Sequence, residues 1–425
     1  MNPIIDLSHA LIPTASDPTF KNPDSQTPHI TKPEFCPNPQ CLFYDPNYAA
    51  GMNWYTHFGK FFTKCRGWIQ RFRCSACGKT CSTQTFSIHY WTHSTNNLVW
   101  LLHLLESSSG MRQIARDAGV SYRVIQNRIR RLARNSLSVM DVVHTYHELN
   151  EDIALDGFES YTRTQYHPNN FTTIVGSDSQ FFYSVIHTLL RRKGRMRTYQ
   201  MNKRALIDEV WRPPKNALRS DCTSMLSDLS PMLHRRAVRH TPLTLFTDLH
   251  NAYPAALKRV PVLSRDVDEG RFIHFRISSR AARTRVNPLF PVNYLDQQIR
   301  HIMGEHIRET MKQGHEVNCQ MERMAVFMFV YNFLTPHRID DCADVRDSYR
   351  HAHYAGVSSD EVVKRIERFL THRHIWGHRR VNHQWIQRIW QHEYENPPAV
   401  RKKRGRIQLR RVALPPRGLP AHFLA

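Results

Sequence analysis

The chain has 425 residues, with 59 Lys or Arg against 36 Asp or Glu, which gives a formal net charge of +23 at pH 7. A chain of this length can form two or three domains with their own apolar cores. A positive field of this size disfavours basic partners and favours a polyanion such as nucleic acid, although a generic basic protein or a binder of anionic membranes stays open on composition alone.

No stretch of the sequence approaches the roughly twenty uninterrupted apolar residues that a transmembrane helix needs. The first residues also lack the basic start and apolar block of a secretory signal. The nine cysteines are odd in number and include two close pairs, which suits metal binding in a reducing compartment better than a disulfide framework. We therefore expect no membrane association and a cytoplasmic location.

Residues 1–34 are rich in Pro, Ser, Thr and Asp without sustained periodicity, and they predict an irregular arm. Residues 35–92 contain two cysteine pairs separated by an aromatic and basic stretch that suits short strands. The pairs are Cys36 with Cys41 and Cys74 with Cys77. Two such pairs can place four thiolates around one zinc ion, which predicts a zinc ribbon whose ion is structural. Other residues could replace one of these ligands, namely Cys65, Cys81 and His57. Buried free thiols are the alternative.

Residues 95–136 have helical spacing and a pattern typical of a helix-turn-helix. Small Ala115 lets two helices approach, and Gly119 permits the turn between them. On the second helix, Ile125 and Ile129 face the core and leave a polar face for the DNA major groove. That face consists of Tyr122, Arg123, Gln126, Asn127 and Arg130. An ordinary helical hairpin with a basic solvated face is the alternative.

Residues 150–340 follow a predicted helical linker at Val139–Leu149. They open with an apolar run that predicts a buried strand ending at Asp156, with Gly157 directly after it. Leu243–Asp248 repeats this design. The elements expected beside these strands are strands at Phe171–Val175, Phe182–Ile186 and Arg271–Ile277, a basic insertion at Arg191–Lys215, and helices at Cys222–Arg236 and Met321–Leu334.

A third acid, Asp296, lies in a segment with helical spacing, and Arg300 follows four residues later on the same helix face. That arginine could hold a phosphate beside the acid. Glu305 and Glu309, further along the same predicted helix, are the alternative third acids. Two strand-end acids and one helix acid are suited to holding two divalent ions for phosphoryl transfer.

Residues 341–396 predict a helical C-terminal region that includes the His- and Trp-rich segment His372–Trp390. Residues 397–425 form a basic tail, in which Arg401–Arg417 contains eight basic residues and no acid. Such a tail is expected to be disordered alone and to become ordered on DNA.

In this order the modules resemble bacterial insertion-sequence transposases of the DDE/DDD type. The resemblance covers roughly residues 36–390 and is carried by five segments: Cys74–Lys79, the helix-turn-helix around Ala115 and Gly119, Leu155–Gly157, Phe246–Asp248 and Asn293–Arg300. It implies a multidomain α/β fold with a zinc β-ribbon, a helix-turn-helix, an RNase H-like mixed-sheet catalytic domain and a helical C-terminal part. The family usually has Glu as its third acid, so Asp296 departs from the pattern.

The resemblance further implies that Asp156, Asp248 and Asp296 bind two Mg²⁺ or Mn²⁺ ions. It implies water-driven strand cleavage followed by attack of the freed 3′-hydroxyl on target DNA. The partners would be double-stranded DNA, as terminal inverted repeats and as target, bound by at least a homodimer. Two rival hypotheses stay open, an inactive transposase-derived DNA-binding regulator and an RNase H-like nuclease that cuts without joining.

Overall fold

The computed structural model describes residues 30–94, 96–210, 212–239, 241–278, 280–307, 312, 314–338, 349–373, 399–403 and 406–410. These residues form helices and three β-sheets, so the chain is a mixed α/β protein. They divide into two compact units. The first unit contains the described residues up to 141 together with 338 and 359–373, and the second contains 142–337, 349–358 and the last two strands.

The first unit begins with a short helix α1 (Pro46–Ala49) and a three-stranded antiparallel sheet. The strands are β1 (Tyr55–Thr63), β2 (Gly67–Cys74) and β3 (Thr80–Ser82). Gly67 has a φ of +65°, which is a left-handed conformation that suits glycine at the start of β2. Ile69 and Phe72 of β2 are buried, and the prediction of short strands between the cysteine pairs is confirmed.

Three helices follow, namely α2 (Leu98–Glu106), α3 (Met111–Asp117) and α4 (Tyr122–Tyr146), of which α4 belongs to the first unit up to Asp141. The side chain of Asn97 caps α2 by accepting the N–H of Trp100 at 2.9 Å. Gly119 lies between α3 and α4 with a φ of +58°, as the turn requires. The predicted helical linker at Val139–Leu149 is helical as far as Tyr146, where it forms the end of α4.

A helix from late in the chain completes the first unit. Helix α12 (Ser359–Thr371) belongs to it, whereas the short helix α11 (His351–Tyr354) belongs to the second unit. Asn135 of α4 donates to the carbonyl of Phe369 at 2.8 Å, and the N–H of Ile88 donates to the carbonyl of Thr371 at 2.9 Å. Residues 341–396 are therefore not one separate C-terminal region, and that expectation is wrong.

The second unit is built on a five-stranded mixed sheet in the order β6–β5–β4–β7–β8. The strands are β4 (Ile153–Tyr161), β5 (Pro168–Gly176), β6 (Phe182–Leu189), β7 (Leu243–Asp248) and β8 (Phe272–Ile277). Strands β4, β5 and β6 are joined antiparallel, while β7 is parallel to β4 and β8 is parallel to β7. All five predicted strands are present, and every residue of β6 is buried.

Helices surround this sheet. They are α5 (Thr198–Val210), α6 (Ala217–Arg239), α7 (Ala252–Leu257), α8 (Pro261–Asp268), α9 (Phe290–Ile302) and α10 (Val317–Phe333). Helix α10 is buried along its whole length, and its Asn332 bonds both the N–H and the carbonyl of Phe182 on β6. Helix α5 lies inside the basic insertion at Arg191–Lys215.

Two strands near the C-terminus, β9 (Ala399–Lys403) and β10 (Arg406–Arg410), pair antiparallel. The expectation of a tail that is disordered alone is wrong for these ten residues. Three other expectations lie outside the described residues: most of the arm, Glu309, and the His- and Trp-rich segment from residue 374 onward. No helix in the described ranges is long and apolar enough to cross a membrane.

Candidate functional site

Four cysteine sulfurs meet at one point of the first unit. The Sγ atoms of Cys36 and Cys77 lie 3.6 Å apart, as do those of Cys41 and Cys74, and all four lie within 4.8 Å of one another. A tetrahedron with Zn–S bonds of about 2.3 Å has sulfurs about 3.8 Å apart. The four cysteines could therefore hold a structural metal such as zinc, and four protein ligands would leave no position for a substrate.

Two tight turns bring these thiols together. In the second pair the N–H of Gly78 donates to the carbonyl of Cys74 at 3.0 Å, and Gly78 adopts a φ of +69° that a residue with a side chain rarely takes. In the first pair the N–H of Cys41 donates to the carbonyl of Asn38 at 3.0 Å, which closes the longer turn. The looser spacing of this pair is thus compatible with a knuckle.

The thiols differ in acidity because their surroundings differ. Burial raises the pKa of the Cys36 and Cys41 thiols. Burial also acts to raise the pKa of Cys77, but hydrogen bonds from the backbone of Lys79 and the side chain of Asn38 outweigh it and lower that pKa to about 7. A bound cation would stabilise the thiolate form of all four ligands.

The three spare candidates lie outside this group. Cys65 donates to the carbonyl of Thr92 at 3.7 Å, and His57 packs against the ring of Phe72. Cys81 is buried on β3, where burial raises its pKa to about 12. The sequence therefore identified the four cysteines that come together.

The second unit gathers three aspartates on one face of its sheet. The parallel ladder between β4 and β7 ends at the pair Leu155 and Thr247, so Asp156 and Asp248 are the next residues on the two strands and point the same way. Helix α9 packs across β4 and β5 and carries Asp296. Thr173, the register partner of Asp156 on β5, donates its hydroxyl to the backbone carbonyl of Asp156 at 3.5 Å.

The position of Asp156 differs from the expectation that a strand ends there. Strand β4 continues to Tyr161, and Gly157 pairs with Thr172 on β5. Only the parallel pairing with β7 ends here, at Leu155, the residue before Asp156. Gly157 is needed for space, because a Cβ there would lie 2.5 Å from the Asn170 side-chain oxygen.

These carboxylates are poorly compensated by the protein. Burial, together with the neighbouring Asp248, raises the pKa of Asp156 from 3.8 to about 6, against the opposing effects of the N–H of Gly157 and the charge of Arg283. Burial and Asp156 raise the pKa of Asp296 well above its ordinary value. The Oδ1 atom of Asp296 is buried without a hydrogen-bond partner among the described residues. Such a site favours a bound cation.

Asp156 is the central member of the group. The charge of Asp156 raises the pKa of Asp296, and the charge of Asp248 raises the pKa of Asp156. The charges of all three contribute to raising the pKa of buried Tyr253. Within the described ranges, only the four cysteines have three or more ligand atoms within 4.8 Å of one another. The three aspartates do not meet this distance criterion.

Two arginines lie beside the acids. Arg300, which the sequence analysis selected, lowers the pKa of Asp296 and places its guanidinium over the ring of Phe158, 5.4 Å from the centroid. Its Nε atom is buried without a partner among the described residues. Arg283 lowers the pKa of both Asp156 and Asp296, a role that the sequence analysis missed because Arg283 lies in an irregular loop.

The alternative third acid has another task. Helix α9 ends at Ile302, so the expectation that Glu305 continues the helix of Asp296 is wrong. Glu305 is buried in a short 3₁₀ turn and forms an ion pair with Arg323 of α10 at 2.7 Å. Its charge is therefore already compensated within the protein.

The predicted recognition face lies at the start of α4. Ile125 and Ile129 are buried as expected, whereas Arg123 and Asn127 are exposed. The remaining residues of this face are exposed Tyr122 and partly exposed Gln126 and Arg130. The face is basic and polar, as a surface that contacts DNA must be.

Comparison of this chain with models of known protein families finds no match, and comparison with curated proteins finds none either. We therefore infer function from the geometry of the four cysteines and the three aspartates.

Proposed function

We propose that this protein is a DNA transposase that cuts at element ends and joins the freed 3′-hydroxyl to target DNA. The observation that carries the proposal is the placement of Asp156 and Asp248 side by side on neighbouring parallel strands, with Asp296 on the helix that packs over them. This is the arrangement that the resemblance to DDE/DDD transposases predicts.

The topology of the sheet supports an RNase H-like catalytic domain. An antiparallel meander of three strands is extended by two parallel strands on the side of its first strand, β4. The first acid stands on β4 and the second on the strand next to it. The strand order is therefore consistent with the sequence resemblance.

The acids suit divalent ions of the Mg²⁺ or Mn²⁺ class, because the donors are carboxylate oxygens and the buried Asp296 Oδ1 has no partner in the described ranges. Asp156, Asp248 and Asp296 would hold these ions. When bound, such ions polarise phosphodiester oxygens and lower the pKa of an attacking water.

The protein's own cations would position the DNA at this site. Arg300 and Arg283 lie beside the acids, and a guanidinium pairs well with a phosphate oxygen. Tyr253 is buried near the carboxylates, whose charges contribute to raising its pKa. These residues bind and orient, and none of them is a nucleophile in the proposed reaction.

The first unit would supply DNA binding. A four-cysteine ribbon beside a helix pair with an exposed basic face is suited to holding a duplex, and a net charge of +23 favours the phosphate backbone. The eight cysteines of the described residues form no disulfide, which is in keeping with a reducing compartment. Pairing of two element ends would require at least a dimer.

The test is cleavage of a labelled duplex that carries the genomic sequence flanking the coding region. With Mg²⁺ we expect nicks at one boundary and joined products, both lost in Asp248→Asn. Asp268→Asn, an exposed aspartate of α8, is the matched control and should retain both. Specific binding without cleavage under Mg²⁺ or Mn²⁺ would refute the enzyme and leave the regulator. Cleavage without joining would identify a nuclease.

A further inference from the structure

Four arginines from three distant parts of the chain converge on the segment 84–96 of the first unit. They are Arg66 in the turn between β1 and β2, Arg128 and Arg131 on α4, and Arg373 just after α12. None of them belongs to the predicted recognition face. A basic cluster assembled in this way needs either counter-charges or a bound anion.

The two arginines of α4 are fixed by carbonyl and amide oxygens. Arg128 is buried and donates through Nε to the Asn96 side chain and through Nη2 to the carbonyl of Ser94, both at 2.8 Å. Arg131 donates through Nη1 to the carbonyl of Ile88 at 2.6 Å. These neutral acceptors hold the guanidiniums in place but leave their charges uncompensated.

The other two arginines approach the same segment from outside α4. The guanidinium of Arg373 lies 4.1 Å from the centroid of the Tyr90 ring, and its backbone N–H donates to the carbonyl of Phe86. Arg66 donates to the Gln84 side-chain oxygen at 2.9 and 3.2 Å when that amide is oriented to accept. All four cations are therefore anchored to one short segment.

The charges in this cluster act on one another. Burial lowers the pKa of Arg131 to about 10, and the charges of Arg128, Arg373 and Arg66 contribute in the same direction. Burial lowers the pKa of Arg128 to about 10 as well, with a further contribution from Arg66. The contributions that raise these pKa values come from the Cys65 side chain on Arg66 and the Tyr90 side chain on Arg373, and no carboxylate of the described residues contributes to the pKa of any of the four.

Two buried polar atoms of the cluster have no hydrogen-bond partner among the described residues, namely Nη2 of Arg66 and Nδ1 of His89. Burial and the charges of Arg128, Arg66 and Arg131 lower the pKa of His89 to about 3, so its ring is neutral at pH 7 and can donate one hydrogen bond. Unsatisfied buried groups of this kind cost stability unless a ligand meets them.

We propose that Arg66, Arg128, Arg131 and Arg373, together with His89, form a binding site for a phosphate group. Guanidinium groups bind phosphate oxygens bidentately, and an anion is the ligand that offsets four neighbouring cations. The inference rests on the proposed function in one respect: on a DNA-binding protein, this phosphate is one of the DNA backbone. The site then positions the duplex without reading its sequence.

Arg66→Gln in the full-length protein tests the site, because it removes the guanidinium with the unpartnered Nη2 and leaves the anchors on α4 intact. Lys364→Gln is the matched control, since Lys364 is an exposed cation of the same unit whose side chain is 64 % exposed. Arg66→Lys keeps the charge and removes the fork. Retained zinc content and circular dichroism establish that each variant is folded.

Two measurements separate the sources of the phosphate. In the first, inorganic phosphate is compared with chloride at equal ionic strength, and phosphate should raise the unfolding midpoint of the unmodified protein but not of Arg66→Gln. In the second, duplex binding is measured against salt, and Arg66→Gln should lower the slope of log K against log salt by about one for any sequence. Arg66→Lys should respond less to phosphate than the unmodified protein. Lys364→Gln should give the same phosphate response and the same salt slope as the unmodified protein.

An unchanged phosphate response together with an unchanged salt slope in Arg66→Gln would overturn the site. A lost phosphate response with an unchanged slope would assign the site to a free anion and overturn its role on DNA. If the unmodified protein binds no DNA at all, the proposed function fails, while the response to inorganic phosphate still decides whether the arginines bind phosphate.

Discussion

Asp156 is partly buried and lies near the charge of Asp248. We therefore predict that removing its charge stabilises the metal-free protein. The rise in the pKa of Asp156 from 3.8 to about 6 corresponds to about 3 kcal/mol, since one pKa unit is worth about 1.4 kcal/mol. Asp156→Asn keeps the shape of the side chain and removes the charge. We therefore expect the second unit of the variant to be up to about 3 kcal/mol more stable at pH 7.5.

The sign of the pH dependence follows from proton binding. Below pH 3.8 Asp156 is protonated in the folded and unfolded states, so its burial costs little. Between pH 3.8 and about 6 the unfolded chain loses this proton first, and the stability of the unmodified protein falls as pH rises. Above about pH 6 the full cost is present. The advantage of Asp156→Asn should therefore grow from near zero at pH 4 to its maximum above pH 6.

Hydrogen–deuterium exchange of amides in β4 and β5 measures this difference, after correction for the intrinsic exchange rate at each pH. A gain of about 3 kcal/mol corresponds to exchange roughly 100-fold slower. Mg²⁺ should slow exchange in the unmodified protein and have less effect on the variant. Asp268→Asn, an exposed substitution, is the control. Equal exchange in the variant and the unmodified protein at pH 7.5, with no dependence on pH, would refute the reasoning.

Three further predictions concern the zinc site, the ion pair of Glu305 with Arg323, and the third acid. Cys74→Ser should abolish stoichiometric zinc in elemental analysis and lower the unfolding temperature of the first unit, whereas Cys65→Ser, which removes a thiol outside the cluster, should preserve both. Arg323→Met should destabilise the second unit by about 3–5 kcal/mol in exchange of α10 amides, because it leaves the Glu305 carboxylate buried without its partner. Glu305→Gln should keep Mg²⁺-dependent cleavage and Asp296→Asn should lose it, and the reverse result would exchange their roles.

The sequence predicted those parts of the sites that local patterns encode. Three of these patterns depend only on residues that are neighbours in the sequence. They are the close cysteine spacing, the apolar runs before Asp156 and Asp248, and the helical spacing around Asp296. The structure brings the four cysteines together and ends β7 at Asp248, as these patterns predict. The two candidates for the third acid differ in position, since α9 ends three residues before Glu305.

The sequence failed where distant residues decide the outcome. Asp156 lies in mid-strand because β5 pairs with the whole of β4, and pairing partners are not written beside the strand they extend. Arg283 stands in an irregular segment that no periodicity marks. The convergence of Arg66 and Arg373 depends on α12 packing with the N-terminal residues, which no local pattern announces.

The discontinuity of the first unit has a consequence for how the chain is synthesised and how it can be divided. Glu34 pairs with Arg368 at 2.9 Å, and Asn135 bonds carbonyls at the end of α12. A fragment that stops at residue 141 lacks all of these partners and exposes the apolar surface that Ile366 and Phe369 cover. During translation the ribbon and helix pair therefore cannot complete their unit until more than two hundred further residues have been synthesised. An isolated N-terminal DNA-binding fragment should be supplied with residues 359–373, joined by a linker, to fold as it does in the whole protein.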